Sequence, residues 1–128
     1  MQAELRGFYS PDIAELESYR PEDGQSFNIS ITAFIGPADG PGEEMFQFTV
    51  CTAEWMHANP PPKGFQFMRS TILLSRWDYS TLERALTDLC AHTSADDWPT
   101  LAMRLSRYGH WEYEDYTEGE REAFRPSQ

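Results

Sequence analysis

Three histidines, two cysteines and twenty-one carboxylates are the groups in this 128-residue chain whose chemistry goes beyond packing. A structural zinc would need His or Cys ligands at short, regular spacing. His57, His92 and His110 lie far apart, and neither Cys51 nor Cys90 stands in a C-x-x-C pattern, so no metal is expected. His110, Glu112, Glu114 and Asp115 are close enough in sequence to surround a cation. The glycine punctuation of a calcium loop is missing, however, so these residues read as a solvated acidic rim. Cys90 and His92 are two apart on an expected helix, where such residues do not face each other. No G-x-S-x-G context supports a nucleophilic serine. Carboxylate pairs of the kind that hydrolyse glycosides or phosphoesters arise by chance among so many acids. The stretch Gly36-Pro37-Ala38-Asp39-Gly40-Pro41-Gly42 has no P-loop lysine, its prolines lack the N–H donors of a phosphate nest, and Glu43 and Glu44 would repel phosphate. No catalytic residue, metal or cofactor is expected, which leaves binding.

The charge pattern indicates what kind of partner. Twenty-one acids against ten bases give −11 and a pI near 4.5, a surface that repels nucleic acid and anionic lipid heads. Residues 11–23 hold five acids and one Arg, and residues 110–122 hold six acids and one Arg, so two short segments carry −9 of the total. The first contains Asp12, Glu15 and Glu17. In the second, His110, Trp111, Glu112, Tyr113, Glu114, Asp115 and Tyr116 interleave large rings with carboxylates. Interface centres favour Tyr and Trp while surrounding charge steers a complementary partner, so Asp12, Glu15, Glu17, His110, Trp111, Glu112, Glu114, Asp115 and Tyr116 form the candidate partner-binding set, facing a basic protein. The alternative for Trp111 and Tyr113 is packing beneath the last helix.

The elements that must hold these residues are legible in the hydrophobic pattern. Residues 3–9 alternate, with Ala3, Leu5, Gly7 and Tyr9 on one side and Glu4, Arg6 and Phe8 on the other, which predicts a strand. Ser10-Pro11-Asp12 breaks it, and one helical turn is expected at 13–17 in the acidic loop. Phe27, Ile29, Ile31, Ala33 and Ile35 alternate with polar residues, and after the Gly/Pro cluster so do Phe46, Phe48 and Val50, which predicts an antiparallel hairpin. Thr52 caps a short helix anchored by Trp55 and Met56 and ended by Pro60-Pro61-Pro62, and a further strand is expected within 64–75, rich in Phe65, Phe67, Met68, Ile72, Leu73 and Leu74. Asp78 opens a helix with Tyr79, Leu82, Leu86, Leu89 and Cys90 on one face. A second helix starts at Asp96 or Asp97, buries Trp98, Leu101, Ala102 and Leu105 and stops at Gly109, and a short edge strand follows at Trp111 and Tyr113. Strands first and helices later make an α+β fold, an antiparallel sheet with two main helices packed on one face. One domain is expected over 1–116 with a polar tail at 117–128. Without an N-terminal apolar run or an 18-residue apolar span, the chain is expected in the cytoplasm, away from membranes, with both thiols reduced and buried. Its oligomeric state is not set by these patterns.

Over residues 3–116 the chain resembles the immunity protein 8 family of bacterial polymorphic toxin systems. The resemblance is carried by Ser10-Pro11-Asp12-Ile13 and Leu16-Glu17-Ser18-Tyr19; by Ile35-Gly36-Pro37, Gly42-Glu43-Glu44-Met45-Phe46 and Phe48-Thr49-Val50-Cys51-Thr52 with Trp55; and by Asp78-Tyr79, Leu89-Cys90, Trp98 and the run from Leu105 through Arg107-Tyr108-Gly109-His110-Trp111 to Tyr116. It departs at Pro60-Pro61-Pro62, where a simpler continuation of the helix belongs, and in the tail. The resemblance implies an α+β protein that binds and inhibits a toxin in the cytoplasm of the cell that makes both, and it supplies no catalytic residues. Composition alone also admits an adaptor or structural subunit of a larger assembly, or a small carboxylate-dependent hydrolase.

Overall fold

A computed structural model describes residues 1–22 and 25–114. The expected tail at 117–128, and Asp115 and Tyr116 of the candidate set, lie outside the described residues. The architecture is α+β, built on an open five-stranded sheet. Strand β1 is Ala3–Tyr9, β2 Asn28–Pro37, β3 Glu44–Cys51, β4 Thr71–Leu73 and β5 His110–Trp111. Helix α1 is Ala53–Ala58, α2 Tyr79–Ala91 and α3 Trp98–Leu105, and a single 3-10 turn occupies Leu16–Ser18.

The β2–β3 hairpin forms the sheet centre, as its alternation predicts. Ile29 pairs with Val50, Ile31 with Phe48 and Ala33 with Phe46, and all six are buried. The same face receives Leu82, Leu86 and Cys90 of α2 and Leu101, Ala102 and Leu105 of α3 in one apolar cluster. Their spacing is that of a helix with one buried stripe. Asp97 caps α3, its Oδ1 accepting the Thr100 N–H at 2.8 Å. Asp78 sits at the N-cap of α2, but its carboxylate accepts the Thr81 hydroxyl at 2.6 Å, which holds its pKa below the usual carboxylate range.

Four expectations are corrected by the packing. In β1 the pairing jumps from Leu5 opposite Ile35 to Gly7 opposite Phe34, so Arg6 is an extra residue. The bulge reverses the alternation beyond it, sending Phe8 inward to stack on Tyr79 at 5.4 Å and Tyr9 outward to stack on Phe34 at 5.8 Å. Gly7, with φ of 156°, takes a backbone conformation that L side chains rarely adopt. Arg6 then reaches across to the hairpin loop, donating to the Gly40 carbonyl at 2.7 Å.

The second correction is α1. Thr52 does cap it, accepting the Trp55 N–H at 3.4 Å, yet none of its residues is fully buried, so Trp55 and Met56 are half-covered and not anchors of the core. Third, the strand expected within 64–75 shrinks to Thr71–Leu73 and runs parallel to β3. The reason is an edge already in use. The far side of β3 accepts β5 at Phe46 and Gln47, leaving Thr49, Val50 and Cys51 for β4. Phe65, Phe67 and Met68 are thereby left in a loop at 64%, 94% and 51% exposure. Fourth, α3 ends at Leu105, four residues before Gly109. Gly109 serves close packing: a Cβ there would lie 2.5 Å from the Phe48 ring.

Candidate functional site

Both main helices lie on one face of the sheet, so among the described residues neither α2 nor α3 covers the side chains of β2 and β3 that point the other way. Asn28, Ser30 and Gln47 are exposed there, Thr49 is half-buried, and Thr32 is packed between its neighbours. Together they make a polar, uncharged floor. At the hairpin-loop end, Tyr9, Phe34 and Met45 form an apolar ridge, Phe34 pairing with Met45 across the strands. At the other end, Trp55 and Met56 of α1 face Phe67 and Met68 of the following loop around a shallow trough that meets the floor at Thr49. A one-sided antiparallel sheet leaves such a face free to meet another surface.

Three of the acids picked out by the sequence, Asp12, Glu112 and Glu114, fall along the edges of this face. Asp12 follows the end of β1 and accepts the Ser30 backbone N–H at 2.8 Å, completing the edge of β2 where β1 has stopped. His110 lines the floor beside Pro11 and Ser70. Glu112 accepts the Met45 N–H at 3.1 Å and returns its own N–H to the Met45 carbonyl at 3.2 Å, prolonging the β3–β5 ladder. Glu114 takes a two-pronged contact from the Arg69 guanidinium, 2.5 and 2.8 Å, and accepts the Trp111 N–H at 3.0 Å. Arg69 holds its carboxyl below the usual range, helped by the Trp111 N–H and by His110, whose ring lies 3.3 Å away. Glu15 and Glu17 are exposed at the 3-10 turn, away from this face, around a hollow lined by Phe8, Tyr9 and Tyr79 of α2, with Ser18 the partner of Glu15.

Trp111 differs from the expected interface anchor, because it is 4% exposed and belongs to the core. Its ring stacks on Phe46 at 6.4 Å and meets Tyr113 edge-on at 5.9 Å. Its indole N–H donates to Glu44 Oε1 at 3.0 Å, and the same oxygen accepts the Trp98 indole at 2.7 Å. One carboxylate thus ties α3 and β5 to the start of β3. Glu44→Ala is expected to lower stability by about 1.5–3 kcal/mol, with Glu44→Gln, which keeps an acceptor, losing less than half of that, as measured by urea denaturation. Equal losses in the two variants would show that the hydrogen bonds contribute nothing.

The groups considered for catalysis are differently placed. Cys51 and Cys90 are buried and unpaired with each other, and burial pushes the Cys90 thiol up to about 11, so it keeps its proton at neutral pH. The His92 Nδ1 lies 2.8 Å from the Asp88 carbonyl of its own helix. Among the described residues no group of three or more His, Cys, Asp or Glu is arranged to hold a metal ion, and no helix is long and apolar enough to cross a membrane.

Sequence reasoning missed the outward turn of Tyr9 and the exposure of Phe65, Phe67 and Met68. The lone Gly7 inside a strand pattern was the available signal for the first. The Pro run that ends two residues short of Phe65, followed by Gly64, was the signal for the second, since it marks a rigid loop more readily than the approach to a strand.

No curated protein and no solved structure matches the chain significantly. The sequence profile of the immunity protein 8 family matches residues 3–116. That span takes in every strand and helix described above together with the uncovered face and the acids beside it, and the chain therefore belongs to the immunity protein 8 family.

Proposed function

We propose that this protein binds a cognate toxin in the cytoplasm of the producing cell and neutralises it by occupation, without catalysis, and that the toxin is a basic protein, a nuclease being the natural case. Membership of an immunity family supports the toxin-binding role. The observation that carries the finer reading is the charge: in a −11 chain, Asp12, Glu112 and Glu114 lie at the edges of the sheet face that α2 and α3 do not cover, and Glu15 and Glu17 are exposed beside the end of β1 and the start of α2. A nuclease must present positive potential to attract a phosphate backbone, and an acidic surface is drawn to that same potential. Nucleic acid itself is repelled by it.

The structure separates the acids that can test this from those that cannot. Asp12, Glu112 and Glu114 satisfy backbone N–H groups, so changing them would disturb the fold. Glu15 and Glu17 are exposed, and neither bonds to a strand. The double reversal Glu15→Lys with Glu17→Lys is expected to slow association with the cognate toxin by about tenfold at low salt, to flatten the salt dependence of that rate, and to leave the denaturation midpoint in place. Unchanged association rates at both low and high salt would remove electrostatic steering from this surface.

A further inference from the structure

The loop 60–70 has a construction that the acidic surroundings do not explain. It opens with Pro60, Pro61 and Pro62, turns where the Gly64 N–H meets the Pro61 carbonyl at 2.9 Å, and closes at Ser70, whose φ of 57° lies in the left-handed region. Its end is pinned from two sides. Arg69 donates to the Ser106 carbonyl at 2.7 Å and grips Glu114, and the Ser70 carbonyl accepts the Thr49 N–H at 2.8 Å. Between these fixed points the loop holds Phe65 and Phe67 edge to face, centroids 6.4 Å apart, with Phe67 94% exposed. Residues 55–77 contain no Asp or Glu, although the chain has twenty-one, and they include Trp55, Met56, Phe65, Phe67, Met68, Lys63, Arg69 and Arg76. Aromatic, Met and Arg enrichment with acid depletion is the composition of an interface centre, and the acids lie around it: Glu54 opens α1, Glu114 grips Arg69, and Asp12 stands across the floor.

Resting on the function proposed above, we infer that Phe65 and Phe67 are the apolar anchor of toxin binding, entering a hydrophobic pocket on a partner whose surrounding surface is basic. A fully exposed ring gives up its whole water-facing area on docking, and a loop already held rigid loses little freedom in doing so. Charge selects this occupant over the others. A second copy would bring another −11 to the same acidic surroundings, and an anionic lipid surface would be repelled likewise, whereas a basic protein is attracted.

The test uses the full chain and its cognate toxin. Phe65→Ala with Phe67→Ala is expected to weaken binding at least tenfold through faster dissociation, with the association rate and the denaturation midpoint nearly unchanged, because both rings are exposed. Thr87→Ala, on the solvent side of α2, should bind as the parent does. A double variant that dissociates at the parental rate overturns the inference, and the response of association to Glu15→Lys with Glu17→Lys then decides the functional reading separately. If the parent chain does not bind the toxin at all, the functional reading falls and this inference with it. If the double variant instead breaks up a self-associated species in sedimentation while toxin binding is intact, the loop is a surface between copies, and the inference is likewise overturned.

Discussion

Trp111→Ala is expected to destabilise the protein by about 3–5 kcal/mol, the range for deleting a buried large aromatic. This ring packs inside the protein, against Phe46 and Tyr113, with the Glu44 carboxylate at its indole N–H. The truncation opens a cavity between α3 and the edge of β3 and deprives Glu44 of one of its two indole donors. Against a total stability of about 5–15 kcal/mol for an ordinary domain, that is a large fraction. In urea the midpoint should fall sharply at nearly constant slope, and weaker toxin binding by this variant should be accounted for by the unfolded fraction. A parental midpoint combined with faster toxin dissociation would mean that Trp111 meets the partner directly and that β5 is not packed as described.

Leu86→Ala and Leu105→Ala are each expected to cost about 2–5 kcal/mol. Leu86 of α2 and Leu105 of α3 are both fully buried in the cluster that joins the helices to the inner sheet face. The two positions belong to different helices, so the losses should add to within a few tenths of a kcal/mol unless the cavities share neighbours. Thermal or chemical denaturation of the single and double variants measures this. Two unchanged midpoints would place these residues on the wrong helix faces.

The parts of the fold legible in the sequence are those where one short stretch of chain settles its own geometry. Ile29, Ile31, Ala33 and Ile35 can be buried together in one way only, as alternate residues of a strand, and Leu82, Leu86, Leu89 and Cys90 share a face only on a helix. The parts that were not legible depend on competition between distant segments. Phe65, Phe67, Ile72 and Leu73 read as one strand, but whether a strand forms depends on a free edge, and β5, from nearly forty residues later, takes part of it. The Arg6 bulge likewise inverts Phe8 and Tyr9 through a pairing offset that composition does not record.

The site was legible in outline for a related reason. Clustered acids announce themselves in a sequence, and Glu15 and Glu17 do end up exposed. Asp12, Glu112 and Glu114 were counted as free surface charge, whereas each accepts a backbone N–H that the short edge strands leave without a ladder partner. Trp111 was ambiguous because alternation assigns a ring to one side of a strand without saying which side is the core. The bare sheet face is a property of where the helices pack, and no single segment encodes it.

The position of β5 also bears on timing. The strand that completes the edge of β3 consists of His110 and Trp111, close to the end of the chain, while its partners Phe46 and Gln47 are made early. At about 5–20 residues per second, the roughly sixty residues from the end of β3 to Trp111 take roughly 3–12 s to make. During that interval the hairpin of β2 and β3 can pair, but Phe46 has no Trp111 to stack on and Glu44 has neither indole to hold. The edge of β3 at Phe46 and Gln47 therefore stays open after the hairpin has paired, and it closes only when the much later segment around Trp111 has docked.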